Sequence, residues 1–114
     1  MANFKDLSGK YAIVGVAESD EIGTVPHKTA LQLHAEAARN AIADAGLTKN
    51  DIDAVFSAGR VFSTETAEYL GIRPRYIDGT SVGGCSFIQH CQHAMAAINA
   101  GLCEVALITH GESG

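Results

Sequence analysis

Apolar residues occur along the chain in two patterns, short unbroken runs and longer stretches in which they recur every three or four positions. Unbroken runs rich in β-branched residues predict strands that are covered on both faces. Four segments fit this description: Tyr11–Ala17, Ala54–Ser57, Arg73–Asp78 and Glu104–Thr109. The longer recurrence predicts amphipathic helices. Three segments show it: Lys28–Ala45, Thr64–Leu70 and the stretch from Cys85 to Gly101.

Residues that begin and end helices stand at the edges of these periodic segments. The first helix is predicted to be capped near Thr29 and to end at Gly46. The second is predicted to be capped by Thr64 and to end at Gly71. Apolar side chains are expected to face the core. In the first helix these are Leu33, Ala37, Ala38, Ala41, Ile42 and Ala45, and in the third Phe87, Ile88, Cys91, Met95 and Ile98.

Strands and helices alternate from the first predicted strand to the last. This order predicts an α/β fold, a parallel βαβαβαβ sheet with right-handed crossovers and helices on both faces. The length of 114 residues fits one domain. In such a sheet ligands bind beyond the carboxyl ends of the strands. The loops expected there are Glu18–His27, Gly59–Ser63, the glycine turn before Cys85, and His110–Gly114.

A pair of glycines, Gly83 and Gly84, directly precedes Cys85. Glycine adopts backbone conformations that other residues resist, so the chain is predicted to turn sharply and enter the third helix with Cys85 in its first turn. Free N–H groups and the helix dipole at such a site favour a thiolate. Cys85 is therefore a candidate nucleophile. Burial as a small apolar plug is the other interpretation, and the residues alone leave both open.

Composition narrows the choice of partners and compartment. The formal net charge is −5 and the eight basic residues are scattered, unlike the basic surface of a nucleic-acid-binding protein. The longest apolar runs are shorter than the ~20 residues that cross a bilayer, and Met1–Lys10 lacks the layout of a signal peptide. The odd number of cysteines, three, predicts reduced thiols. We therefore expect a cytoplasmic protein with no nucleic-acid partner and no membrane span.

His90, Cys91 and His93 lie close together in the third predicted helix. At helical spacing the two histidines share a face while Cys91 points toward the apolar side, so the three are not expected to bind one metal ion. The histidines are instead expected on the helix surface or at an interface.

Several other residues offer chemistry near the predicted strand ends. His110 follows the last strand and is expected either to contact substrate or to be solvated. Cys103 stands at the entrance of that strand and is expected to be buried. The acids of one loop suggest acid–base chemistry or calcium binding, but without ligand spacing a solvated loop is the favoured interpretation. These acids are Glu18, Asp20 and Glu21.

The order of elements and three phrases of the sequence resemble the thiolase superfamily. The phrases are SVGGCSFIQHCQHAMAAINAGLCEVALITHGES, YAIVGVAESDEIG and IADAGL, so the likeness covers nearly the whole chain. They are most similar to the thiolase-like acetyl-CoA acetyltransferases grouped with sterol-carrier, or lipid-transfer, thiolases. The resemblance implies the N-terminal half of a thiolase-like subunit, in which a nucleophilic cysteine begins a helix that is buried between two similar halves.

Two departures from that family matter. An ungapped match through the helix puts the usual nucleophile on Gly84, so that Cys85 stands one residue late. The family's other catalytic groups, a histidine in a GHP-like motif and a second cysteine in a CxG motif, belong to a later half that is absent here. We therefore expect residues 1–114 to be the N-terminal portion of a larger subunit. This incomplete portion is expected to have little or no activity by itself.

The resemblance implies an acyl-CoA acyltransferase in which Cys85 becomes acylated and coenzyme A, a co-substrate, accepts the acyl group. One alternative is a retro-aldolase of CoA-activated side chains that does not use the cysteine. Another is a noncatalytic assembly subunit. The implied partners are further copies of the chain and a small zinc-binding, OB-like protein. No residue is assigned to coenzyme A binding, and neither a covalently bound cofactor nor a metal ion is expected.

Overall fold

The computed structural model describes residues 7–112. Its helices and strands are, in chain order, α1 (Ala30–Asp44), β1 (Ala54–Ser57), α2 (Ser63–Leu70), β2 (Tyr76–Asp78), α3 (Ser86–Asn99) and β3 (Ala106–Thr109). A short 3-10 helix, Lys49–Asp51, joins α1 to β1. Ser113, the last residue of the thiolase-like phrase that ends in HGES, and Gly114 lie outside the described residues.

The strands form a parallel sheet in the order β2-β1-β3. Val55 of β1 lies opposite Ile77 of β2 and Leu107 of β3, and all of β1 is buried. Successive side chains of a strand point to opposite faces. α1 and α2 cover the face of Val55, and α3 covers the face of Phe56. The predicted α/β fold, a parallel sheet with helices on both faces, is therefore confirmed.

The predicted strand at Tyr11–Ala17 is wrong. The segment has no regular secondary structure, and its large apolar side chains are exposed: Ile13, Val14 and Val16. It runs along α1, where a Cβ on Gly15 would overlap the carbonyl of Ala41 and the N–H of Val16 donates to Asp44 Oδ2 at 3.0 Å. A strand needs a neighbour for its backbone hydrogen bonds. Within residues 7–112 no strand pairs with this segment.

Asp53 joins the amino ends of all three strands. Its backbone carbonyl accepts hydrogen bonds from the N–H groups of Arg75 and Tyr76 at 2.7 and 3.2 Å. Its carboxylate accepts from the N–H groups of Glu104 and Val105 at 2.8 to 3.0 Å. Except for that of Tyr76, the first residue of β2, these N–H groups belong to residues that precede the strands. β2 and β3 accordingly start two or three residues later than the apolar pattern predicts.

Replacing Asp53 with Ala is expected to lower the free energy of unfolding by about 2–3 kcal/mol, because the change removes a charged acceptor that serves two backbone N–H groups. Chemical denaturation of the variant and the wild type measures the loss. The matched control is Glu68→Ala on the exposed face of α2, with an expected change within about 0.5 kcal/mol. Equal losses in the two variants would contradict this role of Asp53.

α1 begins where the sequence predicts. Thr29 Oγ1 accepts the N–H of Gln32 at 3.2 Å, and Gln32 Oε1 accepts the N–H of Thr29 at 2.8 Å, which is a reciprocal capping box. The helix ends before Gly46, whose φ is 72°. Thr29 and Gly46 thus bound the helix as predicted.

α2 begins earlier than predicted. Phe62 occupies the cap position, so Thr64 lies inside the helix and the expectation that it caps the helix is wrong. Ser63, at the start of α2, has a structural role: its hydroxyl accepts the N–H of Ser57 at 2.8 Å and donates to the carbonyl of Asp78 at 2.5 Å. Ser63 therefore joins the carboxyl ends of β1 and β2.

α3 packs on the sheet through small and polar residues: Ser86, His90, Ala94 and Ala97. The predicted packing face is wrong in part. Ile98 contacts the core, but Ile88 is 73% exposed and Cys91 and Met95 are only half-buried. These last three residues define an uncovered apolar strip on α3.

No helix within residues 7–112 is both long and apolar enough to cross a bilayer.

Candidate functional site

Cys85 occupies the N-cap position of α3, after the loop Gly79–Gly84 that follows the carboxyl end of β2. The residue is exposed, so it is not the buried apolar plug that was the other interpretation. Its Sγ lies 3.8 Å from the carbonyl oxygen of Val82. Gly83 has a φ of 94°, which other residues adopt only with strain. The thiol is thus reachable at the edge of the sheet where parallel strands end.

The neighbouring position, Gly84, is also open. A Cβ on Gly84 would meet no atom within 4 Å. The structure therefore leaves room for a side chain both at Cys85 and at the position where an ungapped match places the family's nucleophile.

Hydrogen bonds to side chains of α3 hold the loop before Cys85. The N–H of Thr80 donates to His90 Nε2 at 3.0 Å. The N–H of Val82 donates to Ser86 Oγ at 2.9 Å, and the Ser86 hydroxyl donates back to a loop carbonyl at 2.7 Å. The loop is therefore fastened to the helix that it precedes, and this helix fixes where the thiol lies.

His90 is fully buried within the chain, so the expectation that it lies on the helix surface or at an interface is wrong. Its ring centroid is 5.7 Å from that of Phe56. Burial, followed by the positive charge of a protonated His93, holds the pKa of His90 below its usual value of 6.5. The neutral ring is the form whose Nε2 accepts the N–H of Thr80. Nδ1 is buried without a hydrogen-bond partner among residues 7–112.

His110 lies at the same edge of the sheet as Cys85. Its ring packs edge-on against Phe87 of α3, with centroids 4.6 Å apart. On its other side the ring approaches Gly59 of the loop after β1, and Nε2 is 3.9 Å from Glu112 Oε1. His110 is thus packed against the first turn of α3 and still exposed. Contact between His110 and a bound substrate stays a prediction.

A chain of buried hydrogen bonds joins the elements behind this edge. Ser57 Oγ of β1 donates to Thr66 Oγ1 of α2 at 3.0 Å and lies 2.6 Å from Thr109 Oγ1 of β3. Thr109 Oγ1 is in turn 2.8 Å from His34 Nδ1 of α1. All four side chains are buried. Hydrogen bonds of this kind are strong in a medium of low dielectric constant, so they fix the positions of α1 and α2 on the sheet.

The sequence interpretation missed His34. The spacing of His34 in the sequence indicates that the residue is buried. His34 stands four residues before Ala38 and eight before Ile42, both of which were expected in the core. Burial, and secondarily the charge of a protonated His110, lower the pKa of His34 to about 4. The ring is therefore neutral at physiological pH.

The loop that contains Glu18, Asp20 and Glu21 lies at the surface, as expected, but it is fastened to α1. Lys28 Nζ lies 3.2 Å from Glu21 Oε1 and 2.8 Å from Glu36 Oε2. Hydrogen bonds from Lys28 lower the pKa of both carboxyl groups. The N–H of Asp20 also donates to Glu36 at 2.6 Å. Glu36 thereby anchors the loop.

Cys103 is buried, as predicted, and burial with the nearby Asp53 raises the pKa of its thiol. Cys85, Cys91 and Cys103 are all free thiols. In the part of the chain that the structure describes, no three His, Cys, Asp or Glu side chains converge to hold a metal ion. Cys85 is thus the exposed thiol of the three.

A shallow depression of about 270 Å³ opens beside His110, between the loop after residue 17 and the turn that contains Gly111 and Glu112. A second depression, of about 430 Å³, lies between α1 and α2 around Arg39 and Tyr69. Cys85 lines neither. Among the described residues, neither depression is therefore a pocket around Cys85.

No family model matches the chain. The chain is 33% identical over 104 residues to the 17-hydroxy-3-oxo-4-pregnene-20-carboxyl-CoA lyase of Mycobacterium tuberculosis, a match that covers 89% of this chain and 27% of that protein. The chain thus spans about a quarter of the length of this curated relative.

Two solved structures are similar in fold and sequence. A monomeric SCP2-thiolase-like protein, type 1, from Mycobacterium smegmatis superposes with a TM-score of 0.69 at 27% identity, over 84% of this chain and 22% of that one. The Ltp2-ChsH2(DUF35) aldolase superposes with a TM-score of 0.66 at 28% identity, over 85% of this chain and 28% of that one.

Proposed function

Because this chain has the fold and sequence pattern of thiolase-like proteins, as its sequence predicts, we propose that it is part of an enzyme that acts on acyl-CoA thioesters, with Cys85 as the nucleophile. The observation that carries this proposal is the position of the thiol. Cys85 is exposed at the start of α3, beyond the carboxyl end of β2. N–H groups without intrahelical acceptors and the helix dipole favour a thiolate at such a position.

The proposed reaction is thiolytic cleavage of a 3-ketoacyl-CoA. The Cys85 thiolate adds to the carbonyl carbon C3, and the bond between C2 and C3 then breaks. The electron pair stays on C2 as the enolate of acetyl-CoA, which takes a proton from an acid elsewhere in the complete protein. The acyl group remains on Cys85 as a thioester until the thiol of coenzyme A, losing its proton to a base, displaces it.

The described residues contribute the nucleophile and its surroundings. The loop Gly79–Gly84 and His90 hold the thiol, and His110 provides a polar side chain beside the first turn of α3. The apolar strip of Ile88, Cys91 and Met95 is uncovered, as expected if a second half of the subunit packs on α3. We propose that residues 1–114 are the N-terminal portion of such a subunit, which would supply the catalytic acid and base and the coenzyme A site.

A retro-aldol lyase is the second candidate. The relative with 33% identity is named a carboxyl-CoA lyase, and a structure with 28% identity is named an aldolase. Such a reaction breaks a carbon–carbon bond next to a hydroxyl group and needs a base but no acyl-enzyme. In this case the openness at Cys85 and Gly84 would serve substrate entry, and the sulfur would be dispensable.

The proposed enzyme also has protein partners. The similar aldolase is named for two proteins, Ltp2 and ChsH2(DUF35), so we propose that this chain works beside a small partner protein of the zinc-binding, OB-like kind. A noncatalytic assembly role would use the same surfaces without the thiol. The uncovered apolar strip on α3 also favours association with further copies of the chain.

Alkylation kinetics test the proposed nucleophile. In the native assembly near neutral pH, iodoacetamide is expected to modify Cys85 at least about tenfold faster than it modifies free cysteine, because Cys85 is exposed at a helix N-terminus. Excess acyl-CoA is expected to slow the modification of Cys85. Modification at the rate of an ordinary free cysteine, unaffected by acyl-CoA, would instead support the assembly role.

A further inference from the structure

One hydrogen bond spans the whole loop that presents Cys85. Its donor, the N–H of Thr80, and its acceptor, Nε2 of His90, belong to residues that stand five positions before and five positions after Cys85. The bond length is 3.0 Å, and the His90 side chain is fully buried. The position of the Thr80 end of the loop is therefore coupled to the state of one imidazole ring, while Ser86 holds Val82 and Gly83.

That ring accepts the bond in one protonation state only. An N–H group donates to a ring nitrogen that carries no proton, so neutral His90 must hold its proton on Nδ1. Protonation would place a second N–H against the N–H of Thr80 and remove the acceptor. Nδ1 has no partner within residues 7–112, so no other hydrogen bond of the ring would hold it in place.

The surroundings of His90 set where this change occurs. The backbone at Thr80 and the carboxylate of Asp78, at the end of β2, favour the protonated ring, whereas burial and His93, whose ring is 6.3 Å away on α3, oppose it. β1 presents the apolar ring of Phe56. Burial and His93 outweigh the other two, so the pKa of His90 lies below 6.5. The hydrogen bond to Thr80 is thus made at neutral pH and is lost as pH falls through that lowered pKa.

We propose that His90 is a positioning residue for Cys85: its neutral ring holds the Thr80 end of the Gly79–Gly84 loop that presents the thiol, and its protonation releases that end of the loop. The role of the loop in catalysis rests on the proposed function of Cys85, whereas the contact between His90 and Thr80 does not. A test must therefore measure the loop and the thiol separately.

Two substitutions separate the acceptor from the volume of the ring. In His90→Gln the Oε1 atom replaces Nε2 as an acceptor that does not titrate. In His90→Leu a side chain of similar bulk has no acceptor. Amide hydrogen exchange at Thr80, corrected for the intrinsic pH dependence and measured in the native assembly, reports the bond directly. We expect exchange about tenfold faster in His90→Leu and near the wild-type rate in His90→Gln.

The pH profile provides a readout that a purely structural role would not change. In the wild type, protection of the Thr80 amide is expected to fall in acid below pH 6.5, together with the presentation of Cys85. At the same acidic pH, His90→Gln is expected to keep both the protection of the Thr80 amide and the presentation of Cys85. His93→Gln removes the repulsion that lowers the pKa of His90, so it is expected to move the loss to higher pH. The readout for Cys85 is its alkylation rate relative to that of free cysteine at the same pH.

Each outcome decides a definite question. Unchanged Thr80 exchange in His90→Leu overturns the proposal, and so does an equal acid-dependent loss in the wild type and His90→Gln. If His90→Leu does not fold, the acid-dependent loss of Thr80 protection in the wild type and in His90→Gln is sufficient to test the proposal. Faster Thr80 exchange with unchanged Cys85 alkylation overturns the positioning role. The proposed function fails separately, if acyl transfer survives the loss of the Cys85 sulfur.

Discussion

Replacing Cys85 with Ala is expected to lower kcat/KM for thiolytic cleavage of a 3-ketoacyl-CoA by at least about a thousandfold in the complete enzyme. Without the sulfur no thioester forms, so the two-step transfer has no covalent intermediate. The exposed side chain makes one long contact, with the Val82 carbonyl, so the fold should be unaffected. Steady-state kinetics give the rate, and intact mass after incubation with substrate is expected to show an acyl adduct in the wild type alone.

The matched control is Cys91→Ala, which removes a half-buried thiol from the same helix. Its kcat/KM is expected to stay within about threefold of the wild-type value, since Cys91 lies in the second turn of α3, outside the loop that presents Cys85. Undiminished acyl transfer by Cys85→Ala would remove this residue from the mechanism. Cleavage of a CoA-activated hydroxy side chain by the same variant, with no acyl adduct in the wild type, would favour the retro-aldol candidate.

The alternation of apolar runs and periodic segments is enough to predict the sheet and its helices. β1 has the predicted bounds, and Thr29 and Gly46 bound α1, because caps and short buried strands depend on neighbours in sequence. The prediction of a strand at Tyr11–Ala17 was wrong because an apolar run indicates only that a segment must be covered. It does not indicate which strand pairs with that segment. Pairing is a long-range property. No strand within residues 7–112 pairs with this segment, and its side chains Ile13, Val14 and Val16 are exposed.

α3 shows a second limit of the apolar pattern. A helix that approaches a sheet closely needs small side chains, so Ala94 and Ala97 form the contact while Ile88 lies outside. The packing face that the large apolar residues predict for α3 therefore turns partly away from the sheet. The position of Cys85 was predictable, because the glycine pair and the parallel topology together place a helix start at the carboxyl edge of the sheet.

The two buried histidines were not predictable by the same means. A histidine is polar, so at helical spacing it is assigned to the surface unless a partner is known. The partner of His90 is a loop N–H 10 residues away, and the partner of His34 is the hydroxyl of Thr109, 75 residues away. Such contacts exist only once the sheet has formed. The pKa values of both buried rings are lowered, so both histidines are expected to make the protein less stable in acid.

The wild-type protein is expected to lose stability in acid through His34. Its pKa is about 4 in the folded protein and near 6.5 when exposed, so the unfolded chain binds a proton first as pH falls. The stabilisation is therefore complete above pH 6.5 and is lost as pH falls from 6.5 to about 4. The shift corresponds to about 3 kcal/mol. Chemical denaturation across this range of pH measures the loss, to which His90 adds because its pKa is lowered as well.

His34→Asn isolates this contribution, because an amide still reaches the hydroxyl of Thr109 but takes up no proton. The variant is expected to be less stable at neutral pH by about 1–3 kcal/mol, owing to the space left by the ring. Its stability should nevertheless fall much less with acid than that of the wild type. His27→Asn, which replaces an exposed histidine, should retain the full loss. If His34→Asn and the wild type lose equal stability in acid, groups other than the buried His34 ring cause the effect.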